Sequence, residues 1–184
     1  ISLLILLHFN LLTIKLGLWS MLLAFAYPFM KRITYWPQLF LGLTFNWGII
    51  MGWTSITGGL SVEPFILYVA AIFWTLGYDT IYGLQDIRDD EIIGIKSTSI
   101  KFKKNAKFFI GTCYTLCVFF ILTLYNIMEI NKYLFLLSVF FILSLIYQIK
   151  ITKINTPKTC LKAFKINNLT GIFIFLSIFS LNLI

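Results

Sequence analysis

Seven stretches of this sequence run almost without a polar residue, each followed within a few positions by a short polar connector. They lie at roughly 1–14, 16–30, 38–57, 64–82, 106–127, 131–149 and 167–184. That pattern constrains the fold more than any other feature. In hydrocarbon, a peptide group without a hydrogen-bond partner costs several kcal/mol, so an apolar segment that enters a bilayer folds as a helix. Composition excludes the alternative. Only 12% of the 184 residues are charged, against about 25% in soluble domains, and the mean hydropathy is +0.90. A water-soluble fold of this length cannot hide so much apolar surface. The expectation is an all-α, polytopic membrane protein forming one domain over 1–184.

The connectors differ in charge. Every Lys and Arg except Lys15 and Lys132 falls in alternate connectors: Lys31 and Arg32, then Arg88 to Lys107, then Lys150 to Lys165. Basic residues collect on the cytoplasmic side, so those connectors are cytoplasmic. The net charge of +8 therefore reports topology. The basic residues form no single face for nucleic acid, and no obligate protein partner is implied. Cys113 and Cys117 sit one turn apart in an apolar run and, with Cys160, read as small hydrophobes rather than as metal ligands or a disulfide framework. His8, the single histidine, reads as a buried or interfacial polar group. Thr57–Gly59 reads as an outer turn.

The acids are more informative. Five of the seven lie between Asp79 and Glu91, within "YDTIYGLQDIRDDEIIGIKSTSI" at 78–100. Asp79, Tyr82, Asp86 and Asp90 are spaced three, four and four apart, which puts them on one stripe of a helix. An ionisable group just inside an apolar run, as at Asp79, is costly and marks a functional candidate. Three anions on one stripe repel each other, and only Arg88 and Lys96 are near in sequence. A bound Mg²⁺ would relieve the repulsion, since it takes one or two carboxylates and completes its shell from water and substrate phosphates. Asp86 and Asp90, about 6 Å apart along a helix axis, suit that role. Asp79, about 10 Å from Asp86 on a continuous helix, does not reach the same ion. Asp89 and Glu91 read as solvated. "GIKS" at 94–97 lacks the upstream glycine and strand of a phosphate-binding P-loop, although Lys96 and Ser97 retain chemistry suited to a phosphate.

These residues resemble a known family. "YDTIYGLQDIRDDEIIGIKST" is similar to the second aspartate-rich motif of the UbiA superfamily of intramembrane prenyltransferases. "YPFMKRITYWPQLFLG" at 27–42 and "CLKAFKINNLTG" at 160–171 resemble segments of its 4-hydroxybenzoate branch. The resemblance implies a bundle of nine helices around a central cavity, about seven of them present here. It implies Mg²⁺-dependent transfer of a polyprenyl group from polyprenyl diphosphate to the ring of 4-hydroxybenzoate, in ubiquinone synthesis at a bacterial inner membrane. By motif match, Asp86 and Asp90 would hold the metal, Asp79 and Tyr82 would lie near the reacting carbons, and Lys96 would neutralise the leaving diphosphate.

One departure matters. The family carries a further aspartate-rich motif, N-D-x-x-D, between its second and third helices, and this chain has none. With an opening apolar run that lacks signal-peptide features and a first residue that is not Met, the expectation is a chain truncated at its N-terminus and inactive alone. Three rival readings remain: another UbiA branch making haem O or menaquinone, a remnant without activity, and a cation transporter using intramembrane carboxylates. The last would place acids at several depths, whereas here they cluster.

Overall fold

The computed structural model describes residues 2–128, 132–154 and 156–179. Every regular element among the described residues is helical: α1 Ser2–Leu6, α2 Leu11–Ile33, α3 Pro37–Phe45, α4 Gly48–Thr57, α5 Val62–Gly83, α6 Ile87–Ile93, α7 Thr98–Lys101, a 3₁₀ turn Lys103–Asn105, α8 Ala106–Ile127, α9 Lys132–Ile151, α10 Pro157–Lys165 and α11 Asn167–Phe179.

Five segments are long and apolar enough to cross a membrane: α2, α3–α4, α5, the 3₁₀ turn with α8, and α10–α11. Residues 136–151 of α9 add a shorter apolar helix. The connectors after α2, α5 and α9 therefore share one end of the bundle, the end where the basic residues collect.

The N-terminal third differs from the expected pair of helices at 1–14 and 16–30. Here α1 is five residues long and α2 spans 23. Asn10 decides the boundary. Its side-chain oxygen accepts the Thr13 N–H at 2.9 Å, an N-cap that starts α2 earlier than expected. Its amide nitrogen donates to the Thr54 carbonyl at 2.6 Å, and Thr13 donates to the Thr54 hydroxyl at 2.9 Å, which pins α2 to α4. Lys15 is thus a helical residue near the outer end, where a long side chain can reach the interface. At the other end α2 runs through Pro28 to Ile33, a turn beyond the expected end at 30; membrane helices tolerate the missing donor.

The expected helix at 38–57 is interrupted. α3 stops at Phe45, and the Asn46 amide donates to both the Gly42 carbonyl (2.9 Å) and the Thr75 hydroxyl (2.8 Å). The break therefore leaves little backbone unsatisfied and ties α3 to α5.

α5 is the central helix, packed against α3, α4, α8 and α10. It approaches α8 closely: a Cβ on Gly77 would sit 2.4 Å from the Tyr114 ring, which would have to move. Ile81, Ile110, Cys117, Phe141 and Leu145 fill the interior between α5, α8 and α9. Polar groups there are closed on one another. The Tyr114 hydroxyl donates to Gln148 Oε1 at 2.6 Å, the Gln148 amide donates to Thr170 at 2.9 Å, and Thr170 bonds Ser144 at 2.9 Å. The three cysteines are free and buried, and His8 is an exposed residue bonded to the Leu4 carbonyl at 2.7 Å.

Candidate active site at the C-terminal end of α5

The local fold here depends on where α5 ends. Gly83 is its last residue, and the chain turns through Leu84–Asp86 before α6 begins. The Asp86 carbonyl accepts the Asp90 N–H at 3.0 Å, the first bond of the new helix. Gly94, at φ +78°, ends α6 in a left-handed conformation that an L side chain rarely adopts. The chain then returns along the bundle. The Lys96 N–H bonds the Lys31 carbonyl at 2.9 Å. The Thr98 N–H bonds Gln38 Oε1 at 3.0 Å, the Thr98 and Thr80 hydroxyls meet at 2.7 Å, and Ser99 donates to the Thr80 carbonyl at 2.8 Å. The 84–99 loop is thereby fastened to α2, α3 and α5.

This fold-back encloses a cavity of about 180 Å³. Asp79, Tyr82 and Gly83 line it from α5, Asp86 and Asp90 from the turn and α6, and Ile95 and Ser97 from the returning loop. Tyr27 and Lys31 of α2 and Pro37 and Gln38 of α3 complete the wall. Four of the five expected site residues, Asp79, Tyr82, Asp86 and Asp90, thus share one cavity. They do so by a different route from the expected continuous stripe. Because the helix breaks between Gly83 and Ile87, α6 folds over the end of α5, and Asp79 faces the same space as Asp86 and Asp90.

Lys96 is placed otherwise. Its ammonium donates to the Ile33 carbonyl at 3.2 Å and lies 5.7 Å from the centre of the Tyr35 ring, and it is not among the cavity's lining residues. The cation in the wall is Lys31, whose charge acts on both Asp79 and Asp90. In the sequence Lys31 stands out only as one of the basic connector residues. Its signal was the spacing of Tyr27 and Lys31, one turn apart on α2 within the quoted 27–42 segment. Gln38 gave no sequence signal as a site residue; only the tertiary pairing with Thr98 brings it to the wall.

The electrostatics are those of an under-compensated anion cluster. Burial, the larger cause, with repulsion from Asp86 and Asp89, holds the Asp90 carboxyl above its ordinary value of 3.8, while Lys31 pulls it down. Asp89 and Glu91 are exposed, and Glu91 pairs with Lys103 at 2.8 Å, in line with the solvated role expected of both. Gln85 donates to Asp86 Oδ1 at 3.3 Å, a long contact that orients the carboxylate weakly. Among the described residues no three His, Cys, Asp or Glu side chains converge into a complete metal site. The donors in the cavity are carboxylate and hydroxyl oxygens, the chemistry of a hard cation that draws the rest of its shell from other ligands.

Fold and site together define a class: a multi-pass helical membrane protein with a cavity at one end of the bundle lined by carboxylates and one lysine. The chain belongs to the UbiA prenyltransferase family, whose pattern matches residues 1–176. It is 42% identical over 180 residues to the mitochondrial 4-hydroxybenzoate polyprenyltransferase of Bos taurus, covering 95% of this chain and 47% of that protein. It is 39% identical over 179 residues to the mitochondrial protein of the same name from Aedes aegypti, covering 97% and 41%. It is 36% identical over 177 residues to the 4-hydroxybenzoate octaprenyltransferase of Histophilus somni, covering 96% and 62%. The chain thus spans between about two fifths and three fifths of these relatives' lengths. The fold is shared with the apo structure of a UbiA homolog from Aeropyrum pernix K1, at TM-score 0.78 and 21% identity, over 97% of this chain and 66% of that one.

Proposed function

We propose that this chain supplies the cytoplasmic half of a diphosphate-binding site for transfer of a polyprenyl group to the ring of 4-hydroxybenzoate, the step of ubiquinone synthesis that its relatives' names describe. The observation that carries the reading is the convergence of Asp79, Tyr82, Asp86, Asp90 and Lys31 on one cavity at the mouth of a membrane bundle.

The donor set fits Mg²⁺ as a partial site. Asp86 and Asp90 would hold it, and diphosphate and water would complete the shell. When bound, the metal neutralises the diphosphate as a Lewis acid and makes it a better leaving group. The chain's own groups do the rest. Lys31, from the opposite wall, balances charge that the two carboxylates leave exposed. Scission of the bond between the allylic carbon and the diphosphate oxygen leaves the electron pair on oxygen and positive charge on the prenyl carbons. The Tyr82 ring, beside the Phe164 ring at 4.8 Å, offers an aromatic face to that charge. The ring carbon next to the phenol hydroxyl forms the new bond and loses its proton to Asp79, the carboxylate that α5 brings into the cavity. Apolar helices exclude the water that would trap the cation.

We infer further that the 184 residues do not turn over alone, because no N-D-x-x-D motif is present to bind the second half of the diphosphate. The bacterial inner membrane is the expected location; a mitochondrial membrane is the alternative that two relatives' names carry. The test is prenyl transfer by a protein with both aspartate-rich motifs, offered 4-hydroxybenzoate against the acceptors of the haem O and menaquinone branches. Product on 4-hydroxybenzoate that disappears in Asp86→Asn and Asp90→Asn supports the reading. Product on another acceptor moves the chain to another branch, and undiminished activity in both variants refutes the site.

A further inference from the structure

Outside that cavity, the most polarised surface of the molecule is α10. Its inner face carries Cys160 and Ala163, both fully buried, and Phe164, which packs on Tyr78 and Tyr82 of α5. Its outer face carries Lys158, Lys162 and Lys165, spaced four and three apart and so on one stripe. Leu161, Ile166 and Leu169 lie along the same stripe, and the six residues line an open groove of about 550 Å³. All three lysines are exposed, and among the described residues the one ion pair is Lys103 with Glu91, on another connector. No acid occurs after Glu129 in the sequence, and among the described residues none of the three lysines forms an ion pair.

Topology requires lysines on this side of the membrane but not on one face, and not over an apolar floor. A groove with three uncompensated ammonium groups at its cytoplasmic end and leucine and isoleucine running into α11 is complementary to a molecule that is anionic at the interface and apolar below it. We propose that the outer face of α10 is a binding site for the headgroup of an anionic phospholipid, with the acyl chains lying along Leu169. This is independent of the reaction assigned to the cavity. Its structural consequence is that bound lipid holds α10 at the interface and so keeps Phe164 against Tyr82.

The test is lipid retention. The purified chain in mixed micelles of phosphatidylglycerol and phosphatidylcholine is stripped of loose lipid, and the bound lipid is measured by mass spectrometry. Each lysine near an anionic headgroup contributes about 1 kcal/mol, about fivefold in binding. Single Lys158→Gln, Lys162→Gln and Lys165→Gln variants are expected to lose about fivefold each in phosphatidylglycerol retention. The corresponding Lys→Arg variants should retain it, and Lys101→Gln or Lys104→Gln, on the same membrane side, should change little. Equal losses from the α10 and control lysines would overturn the proposal in favour of general surface charge, and no loss from α10 would overturn it outright. Displacement of phosphatidylglycerol by equimolar farnesyl diphosphate would also overturn it, by reassigning the groove to a prenyl diphosphate.

Discussion

Two polar clusters within this bundle end in opposite states. Tyr114, Gln148, Thr170 and Ser144 satisfy one another between α8, α9 and α11, with Gln148 and Thr170 fully buried. Asp79, Tyr82, Asp86 and Asp90 face a cavity, with Lys31 as the cation in its wall. In low dielectric an unpaired polar group is expensive. A closed network therefore contributes to the register of the helices, and an open one marks where a ligand completes the bonding. The difference teaches that polarity within the membrane is not itself the functional signal; unsatisfied polarity is.

Substitutions can break the comparison from either side. The largest effect is expected at the open cluster. Asp86→Asn or Asp90→Asn, in a protein with both motifs, should lower turnover by about a thousandfold, the several kcal/mol attributed to a metal-held leaving group, with membrane insertion unchanged by protease protection. Chelation with EDTA should do the same, and added Mg²⁺ should restore activity. Next is Gly77→Ala, where the new methyl would stand 2.4 Å from the Tyr114 ring. Forcing that ring aside should cost about 1–3 kcal/mol, read as a lower denaturation midpoint. Gln148→Leu should cost about 1 kcal/mol, because hydrogen bonds between membrane helices average about 0.6, and it should leave diphosphate binding intact. Loss of diphosphate binding in Gln148→Leu would erase the distinction between the clusters.

The smallest effect concerns pH. Asp90 is held above 3.8, so it keeps its proton to higher pH in the fold than in the unfolded chain. Its own contribution to folding is therefore favourable in acid and is lost as pH rises through the window above 3.8. Cation binding needs the carboxylate and runs the other way. Lys31→Met removes the charge that lowers this carboxyl, so the acid limb of Mg²⁺ binding should move to higher pH. An unmoved limb would show that Lys31 does not act on Asp90.

Much of this was legible in the residues. The charge asymmetry of the connectors put those after α2, α5 and α9 at one end, and the phase of Asp79, Tyr82, Asp86 and Asp90 picked out four lining residues. The errors had local causes. Lys15 looked like a connector because one charge interrupts a hydropathy run, while Asn10, the actual cap, is a single polar residue in an apolar stretch. Lys96 seemed closer to the acids than Lys31 because sequence distance stood in for spatial distance.

By itself, then, the sequence determined that the chain lives in a bilayer as helices, which end gathers the basic residues, and which acids are out of place there. Those are properties of residue type and period, and the bilayer enforces them on any chain of this composition. Only the tertiary structure decided that α5 ends at Gly83, that Asp79 joins Asp86 and Asp90 in one cavity, and that Lys31 rather than Lys96 stands in its wall. Each of those depends on hydrogen bonds across long sequence separations, such as Thr98 to Gln38 and Lys96 to the Lys31 carbonyl, and no local pattern encodes where such partners meet.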